Sequence, residues 1–165
     1  MRPRRVLVGG IGNVFFGDDG FGVEVARLLR ARPDIPGVDV VDFGIRGLDL
    51  AYALLEGYDA AVLVDTVARG RVPGTLSVIE LGVDDVPEPS IDTHGMHPVK
   101  VLALARAMGP LPPALRVVGC EPSSSGGVEE MAMGLSPAVA AAVPRAAEMV
   151  EELVLQLREG VGADA

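Results

Sequence analysis

The chain is short of several things, and each shortage removes a class of function. It holds a single cysteine, Cys120, so no intrachain disulfide and no paired-cysteine zinc motif can form. Such usage fits a reducing setting, and a cytoplasmic location is expected. Tryptophan is absent and aromatics are only 4% of residues, which disfavours an aromatic platform for sugars or bases. Basic residues number 14 against 23 acidic ones, a formal charge of −9, and apart from the N-terminal Arg-Pro-Arg-Arg they are scattered. Phosphate recognition needs a clustered positive face, so no nucleic-acid partner is expected. Mean hydropathy is positive, yet no apolar run approaches the ~20 residues of a membrane span. The Val-Leu-Val run behind the arginines is too short for a signal core, and no membrane partner is expected.

What is present is a regular alternation of β-branched runs and amphipathic segments, the pattern of a layered α/β domain. The 165 residues suit one domain, read as residues 1–158 with a disordered tail at 159–165. Strands are predicted at Arg5 to Val8, ending at Gly9 and Gly10, and at Val38 to Phe43, Ala60 to Thr66, Thr75 to Glu80 and Leu115 to Cys120. The fourth follows the third too closely for a helical crossover, so it is expected to run antiparallel. Phe21, Val25 and Leu28 form an apolar stripe on a helix whose Glu24, Arg27 and Arg30 turn away. Further helices are predicted at Leu48 to Glu56, stopped by Gly57, at Pro98 to about Met108, and at Pro137 to about Arg158 with Ser136 as its cap. A loop from Gly82 to Met96 carries Asp84, Asp85 and Glu88, and long loops in small domains are often functional.

In open α/β sheets, ligands bind beyond the carboxyl ends of the strands. That rule gathers Asp18 and Asp19 after the first strand, Asp65 at the end of the third, Cys120 and Glu121 at the end of the last, and His94 in the long loop. The stretch GGIGNVFFGDDGFG, Gly9 to Gly22, first suggests a phosphate cradle. However, Phe15 stands where a dinucleotide fingerprint needs its third glycine, and a Walker loop would need Lys and Ser or Thr. Two carboxylates at the helix entry would also repel a pyrophosphate. One aspartate suffices to cap a helix, a role that suits Asp18, while Asp19 is open to function. Asp65, closing an apolar strand, is either an ordinary turn aspartate or a group bound to something positive.

Two carboxylates and one imidazole make an oxygen-and-nitrogen site for a divalent transition metal, with positions left for water or substrate. His94 and His97 are the only histidines, and either is alternatively a loop or capping residue. Neither His-Glu-x-x-His nor Gly-x-Ser-x-Gly occurs. Cys120 offers a rival chemistry, a thiol nucleophile with a histidine base, against the reading of a small buried hydrophobe.

Taken together, these pieces resemble the hydrogenase maturation endopeptidases, which trim the C-terminal extension from the large subunit of nickel-iron hydrogenases. The resemblance runs in order through GIGNVFFGDDGFG, DFGIRGLDL, LVDTV, THGMHP, VVGCEP and GLSPAV. It implies a three-layer α/β fold with a twisted, mostly parallel five-stranded sheet, one antiparallel strand and helices on both faces. It further implies that Asp19, Asp65 and His94 are the metal-binding and catalytic set. The metal implied is nickel already placed in the large-subunit precursor, which is the implied partner, so no resident metal is required. His97 is outside the carried-over set, and a monomer is expected. Two other readings stand beside this one: a non-catalytic nickel-sensing or chaperone module for the same precursor, and a thiol hydrolase dependent on Cys120.

Overall fold

Runs of Val, Leu and Ala that are apolar at consecutive positions can be buried on both faces of a sheet, and here they are. The computed structural model describes residues 4–86, 98–123 and 134–160. Its strands are β1 (Val6–Ile11), β2 (Val38–Gly44), β3 (Ala60–Thr66), β4 (Leu76–Leu81) and β5 (Ala114–Cys120). They form one sheet in the order β2-β1-β3-β5-β4. All neighbours pair in parallel except β4, which is antiparallel to β5, as the short β3 to β4 connection requires.

The helices are α1 (Phe21–Arg30), α2 (Gly47–Leu54), α3 (Pro98–Met108) and α4 (Pro137–Arg158). Strand periodicity divides the core between them. Val6 and Val8 of β1, Val62 and Val64 of β3 and Val118 of β5 face Phe21 and Val25 of α1 and Val139, Val150 and Val154 of α4. The intervening residues Leu7, Ile11, Leu63, Leu115 and Val117 face Leu50 and Leu54 of α2 and Val101 and Leu102 of α3. Three layers result, with α1 and α4 on one face of the sheet and α2 and α3 on the other. None of the helices among the described residues is long and apolar enough to cross a membrane.

Two local expectations are corrected, the ends of β1 and of α2. β1 does not end at Gly9 and Gly10 but runs through them to Ile11. A Cβ on Gly10 would sit 2.3 Å from the Gly22 carbonyl oxygen and 2.7 Å from the Ala26 Cβ. These glycines therefore permit close approach of α1 to the sheet rather than stopping the strand. In α1 the expected stripe of Phe21, Val25 and Leu28 packs on the core, Leu28 half-buried at its margin, and Leu29 is buried beside it. Finally, α2 stops at Leu54, and the tighter bonds Leu55 N–H to Tyr52 O (3.1 Å) and Glu56 N–H to Ala53 O (3.1 Å) end it before Gly57 turns the chain with φ of +85°. The expected tail lies outside the described residues from position 161 onward.

Candidate active site

The carboxyl ends of β1, β3 and β5 lie side by side, and the aspartates gather there. β1 leads into a tight turn. Asn13 O accepts the Phe16 N–H (3.1 Å), and the Asn13 side chain accepts the Phe15 N–H (2.9 Å), an Asx turn. A single 3-10 turn, Gly17–Gly20, then places Asp18 and Asp19 just before α1. Gly12 makes this possible. It sits at φ of +145°, and a Cβ there would lie 1.8 Å from the Asp19 carbonyl oxygen. The chain thus doubles back on itself against a bare backbone.

Successive residues of a 3-10 turn point about 120° apart, so the two aspartates diverge. Asp18 turns inward and is buried. Its Oδ1 accepts the Ser136 N–H (2.7 Å), and its Oδ2 accepts the Ser123 N–H (2.8 Å) and the Ser136 hydroxyl (2.9 Å). The expectation that Asp18 caps α1 is therefore corrected. The residue at the cap of α1 is Gly20, with no side-chain bond, and Asp18 instead ties the turn to the exit of β5 and the start of α4. Ser136 does stand at the cap of α4 with Pro137 in its first turn, but its hydroxyl makes no capping bond because Asp18 takes it.

Asp19 is half-buried and turns the other way. Its Oδ2 accepts the Asn13 N–H at 2.8 Å, which fixes the carboxylate against the turn. Asp65 ends β3 opposite Gly119 of β5, is 4% exposed, and accepts the N–H of its neighbour Thr66 at Oδ1 (2.8 Å). Burial drives the Asp65 carboxyl well above its ordinary value, and the negative charge of Asp19 pushes it further, against a small lowering by the Thr66 N–H. Two carboxylates thus face a common site. Among the described residues, no Lys or Arg forms an ion pair with either. A cation placed between the two carboxylates would neutralise the repulsion and favour ionisation of Asp65.

His94 and His97 lie outside the described residues. Within those that are described, no three His, Cys, Asp or Glu side chains cluster as a metal site. Cys120 points into the core between the sheet and α4 and is fully buried. Burial raises its thiol to about 11, with the charges of Asp18 and Glu121 adding to the effect. A thiolate nucleophile needs the opposite environment, so the geometry places Cys120 among the packing residues. Glu121 is also structural. It accepts the Arg69 N–H (2.8 Å) and the Arg71 N–H (3.0 Å) at Oε1, and these bonds lower its carboxyl below the ordinary value. Sequence reasoning missed Asn13 as the support of Asp19. The signal was the Asn following Gly-x-Gly, whose Asx turn aims the backbone N–H.

Comparison with known proteins follows the same lines. A family model described as hydrogenase maturation protease matches residues 23–153, a span that contains Asp65 and His94. The hydrogenase expression/formation protein HupD of Rhodobacter capsulatus is 37% identical over 158 residues, covering 92% of this chain and 72% of that protein. Among solved structures, a hydrogenase 2 maturation peptidase from a Thaumarchaeota archaeon is 33% identical with a TM-score of 0.70, covering 92% of this chain and 98% of that one. The hydrogenase maturating endopeptidase HybD of E. coli is 28% identical with a TM-score of 0.73, covering 94% of each chain.

Proposed function

Because the chain belongs to the hydrogenase maturation protease family and is a peptidase, we propose that Asp19, Asp65 and His94 receive the nickel of a nickel-iron hydrogenase large-subunit precursor while its C-terminal extension is removed. The observation that carries this reading is the Asp65 carboxyl, raised by burial and by Asp19, with no Lys or Arg among the described residues in an ion pair with either. A buried carboxylate facing a second, half-buried one costs stability in the free protein. An incoming cation turns that cost into differential affinity for the nickel-loaded substrate.

In this reading nickel is cargo, not a resident cofactor. A nickel ion already held by the precursor still accepts further oxygen and nitrogen donors, and the open edge of the sheet lets a folded protein approach. Docking of the ion on Asp19, Asp65 and His94 sets the register of the precursor tail. A precursor without nickel forfeits those contacts and is left uncut, which links cleavage to metal insertion.

Hydrolysis then needs a base and an acid. Water adds through its oxygen to the scissile carbonyl carbon, and one of the two carboxylates takes the proton released. The same proton passes to the departing amine as the carbon–nitrogen bond breaks, leaving a new C-terminal carboxylate on the subunit. Burial raises the Asp65 carboxyl above its ordinary value, which makes it a stronger proton acceptor than an exposed aspartate.

The test is processing of purified nickel-loaded precursor, followed by mass spectrometry of the subunit. Wild type is expected to release the tail, nickel-free precursor to stay intact, and Asp19→Asn, Asp65→Asn and His94→Ala to slow release at least ~100-fold. Normal processing by Asp19→Asn would overturn the assignment.

A further inference from the structure

Beside the turn that carries Asp19 runs a shallow groove of about 200 Å³, lined by Gly12, Asn13, Phe15, Arg27, Asp42 and Ile45 among others. Its two large apolar lips are uncovered, Phe15 at 56% exposure and Ile45 at 64%. On α2, Leu48 and Tyr52, one turn apart, are also more than half exposed and follow Ile45 in the chain. Loops at a sheet edge are ordinarily polar, and a run of exposed large hydrophobics there marks a surface that meets another molecule.

We propose that this groove seats an extended stretch of the precursor polypeptide beside the scissile bond, through uncharged aliphatic side chains. The proposal rests on the reading that Asp19 and Asp65 form the cleavage site. Three features select that occupant. The first is continuity: Asn13 lines the groove, and its backbone N–H holds the Asp19 carboxylate, so a chain lying in the groove is one hydrogen bond removed from the site. The second is size, since the groove is smaller than the roughly 300–1,000 Å³ of small-molecule pockets and suits side chains of a peptide instead.

Charge is the third. Of the residues that line the groove, Arg27 and Asp42 carry one charge of each sign and lie 3.9 Å apart, while Glu24, outside the lining, pairs with Arg27 at 3.0 Å. The lining itself therefore offers no excess of either sign to recruit an ionic side chain. Gly12 and Gly44 add bare backbone to the lining, where the Gly12 N–H donates to the Gly44 carbonyl at 3.0 Å and joins the ends of β1 and β2. An extended chain can therefore lie low between Phe15 and Ile45, and the apolar lips exclude water from its contacts.

Steady-state cleavage of nickel-loaded precursor by Phe15→Ser, Ile45→Ser and the double variant tests this. Both positions are exposed, and unchanged thermal melting will confirm that the variants fold. The expected result is a rise in KM of about tenfold for each single variant, with kcat changing far less. Val78→Ser, an exposed position on β4 at the opposite edge of the sheet, is expected to leave both constants unchanged. An unchanged KM for the double variant, while Asp19→Asn abolishes cleavage, would overturn the groove and leave the site assignment standing. Binding of purified precursor by calorimetry gives a readout independent of cleavage. Loss of binding on Ile45→Ser supports the groove even if the carboxylates prove to have another role. A wild-type dimer in size-exclusion chromatography that Ile45→Ser converts to monomer would assign the lips to a second copy of the chain and refute the proposal.

Discussion

The carboxylate of Asp18 accepts both the backbone N–H (2.7 Å) and the hydroxyl (2.9 Å) of Ser136, which stand 118 positions further along the chain. With the Ser123 N–H on the same carboxylate, one side chain pins the Asp19 turn to two other segments. Removing it leaves three donors without their acceptor. Asp18→Ala is expected to destabilise the fold by about 3 kcal/mol, and Ser136→Ala by about 1 kcal/mol, because only the hydroxyl bond is lost. Urea denaturation checks this, and the shift must appear in the midpoint with the slope unchanged.

Asp65 sets function against stability. It is buried and repelled by Asp19, so Asp65→Asn removes an unfavourable charge from the free protein. We expect the melting temperature of the metal-free variant to rise by about 2–4 °C, the effect of ~1 kcal/mol in a chain of this length. The same variant should fail to process nickel-loaded precursor. A lowered melting temperature would mean that Asp65 is compensated in the free protein.

Cys120 is expected to behave as a packing residue. With the thiol buried and raised to about 11, a disulfide reagent at a pH of about 8 should leave the folded protein unlabelled and react only after denaturant is added. Cys120→Ala should cost about 1 kcal/mol of stability and keep cleavage within twofold of wild type. Loss of cleavage in a variant that still folds would restore the thiol to the mechanism.

Tyr58 carries an alkaline transition. Its hydroxyl donates to Asp39 Oδ2 at 2.7 Å, and the Arg5 guanidinium lies over the ring at 4.5 Å. Burial first, and the Asp39 bond second, raise the phenol from 10.0 to about 12. A group whose folded value is raised gives its full stability below the unfolded value and loses it as pH climbs through the folded one. The fold should therefore weaken between pH 10.0 and about 12, by roughly 2–3 kcal/mol from this residue. Tyr58→Phe should flatten that decline in urea titrations across the window, at a cost of about 1 kcal/mol near neutrality.

Much of the layer pattern was legible because it depends on local periodicity. Runs such as Ala60 to Val64 announce a strand buried on both faces, and Pro137 and Pro98 mark helix starts by a missing N–H. The short link into β4 fixed its antiparallel direction. Less legible was the purpose of glycine. Gly9 and Gly10 read as a strand end, whereas Gly10 is a contact between β1 and α1 that exists only once Gly22 lies against it.

The sequence by itself determined which groups could meet: it puts carboxylates at the ends of the first and third strands, and parallel pairing must then bring those ends to one edge. Motif order across the chain was enough to suggest the family. Only the tertiary structure decided the division of labour between adjacent aspartates. A 3-10 turn directs Asp18 inward to Ser123 and Ser136 and leaves Asp19 to act on Asp65, and none of those partners is near in sequence. Side-chain direction in a turn depends on what the turn packs against, and local pattern carries no record of that.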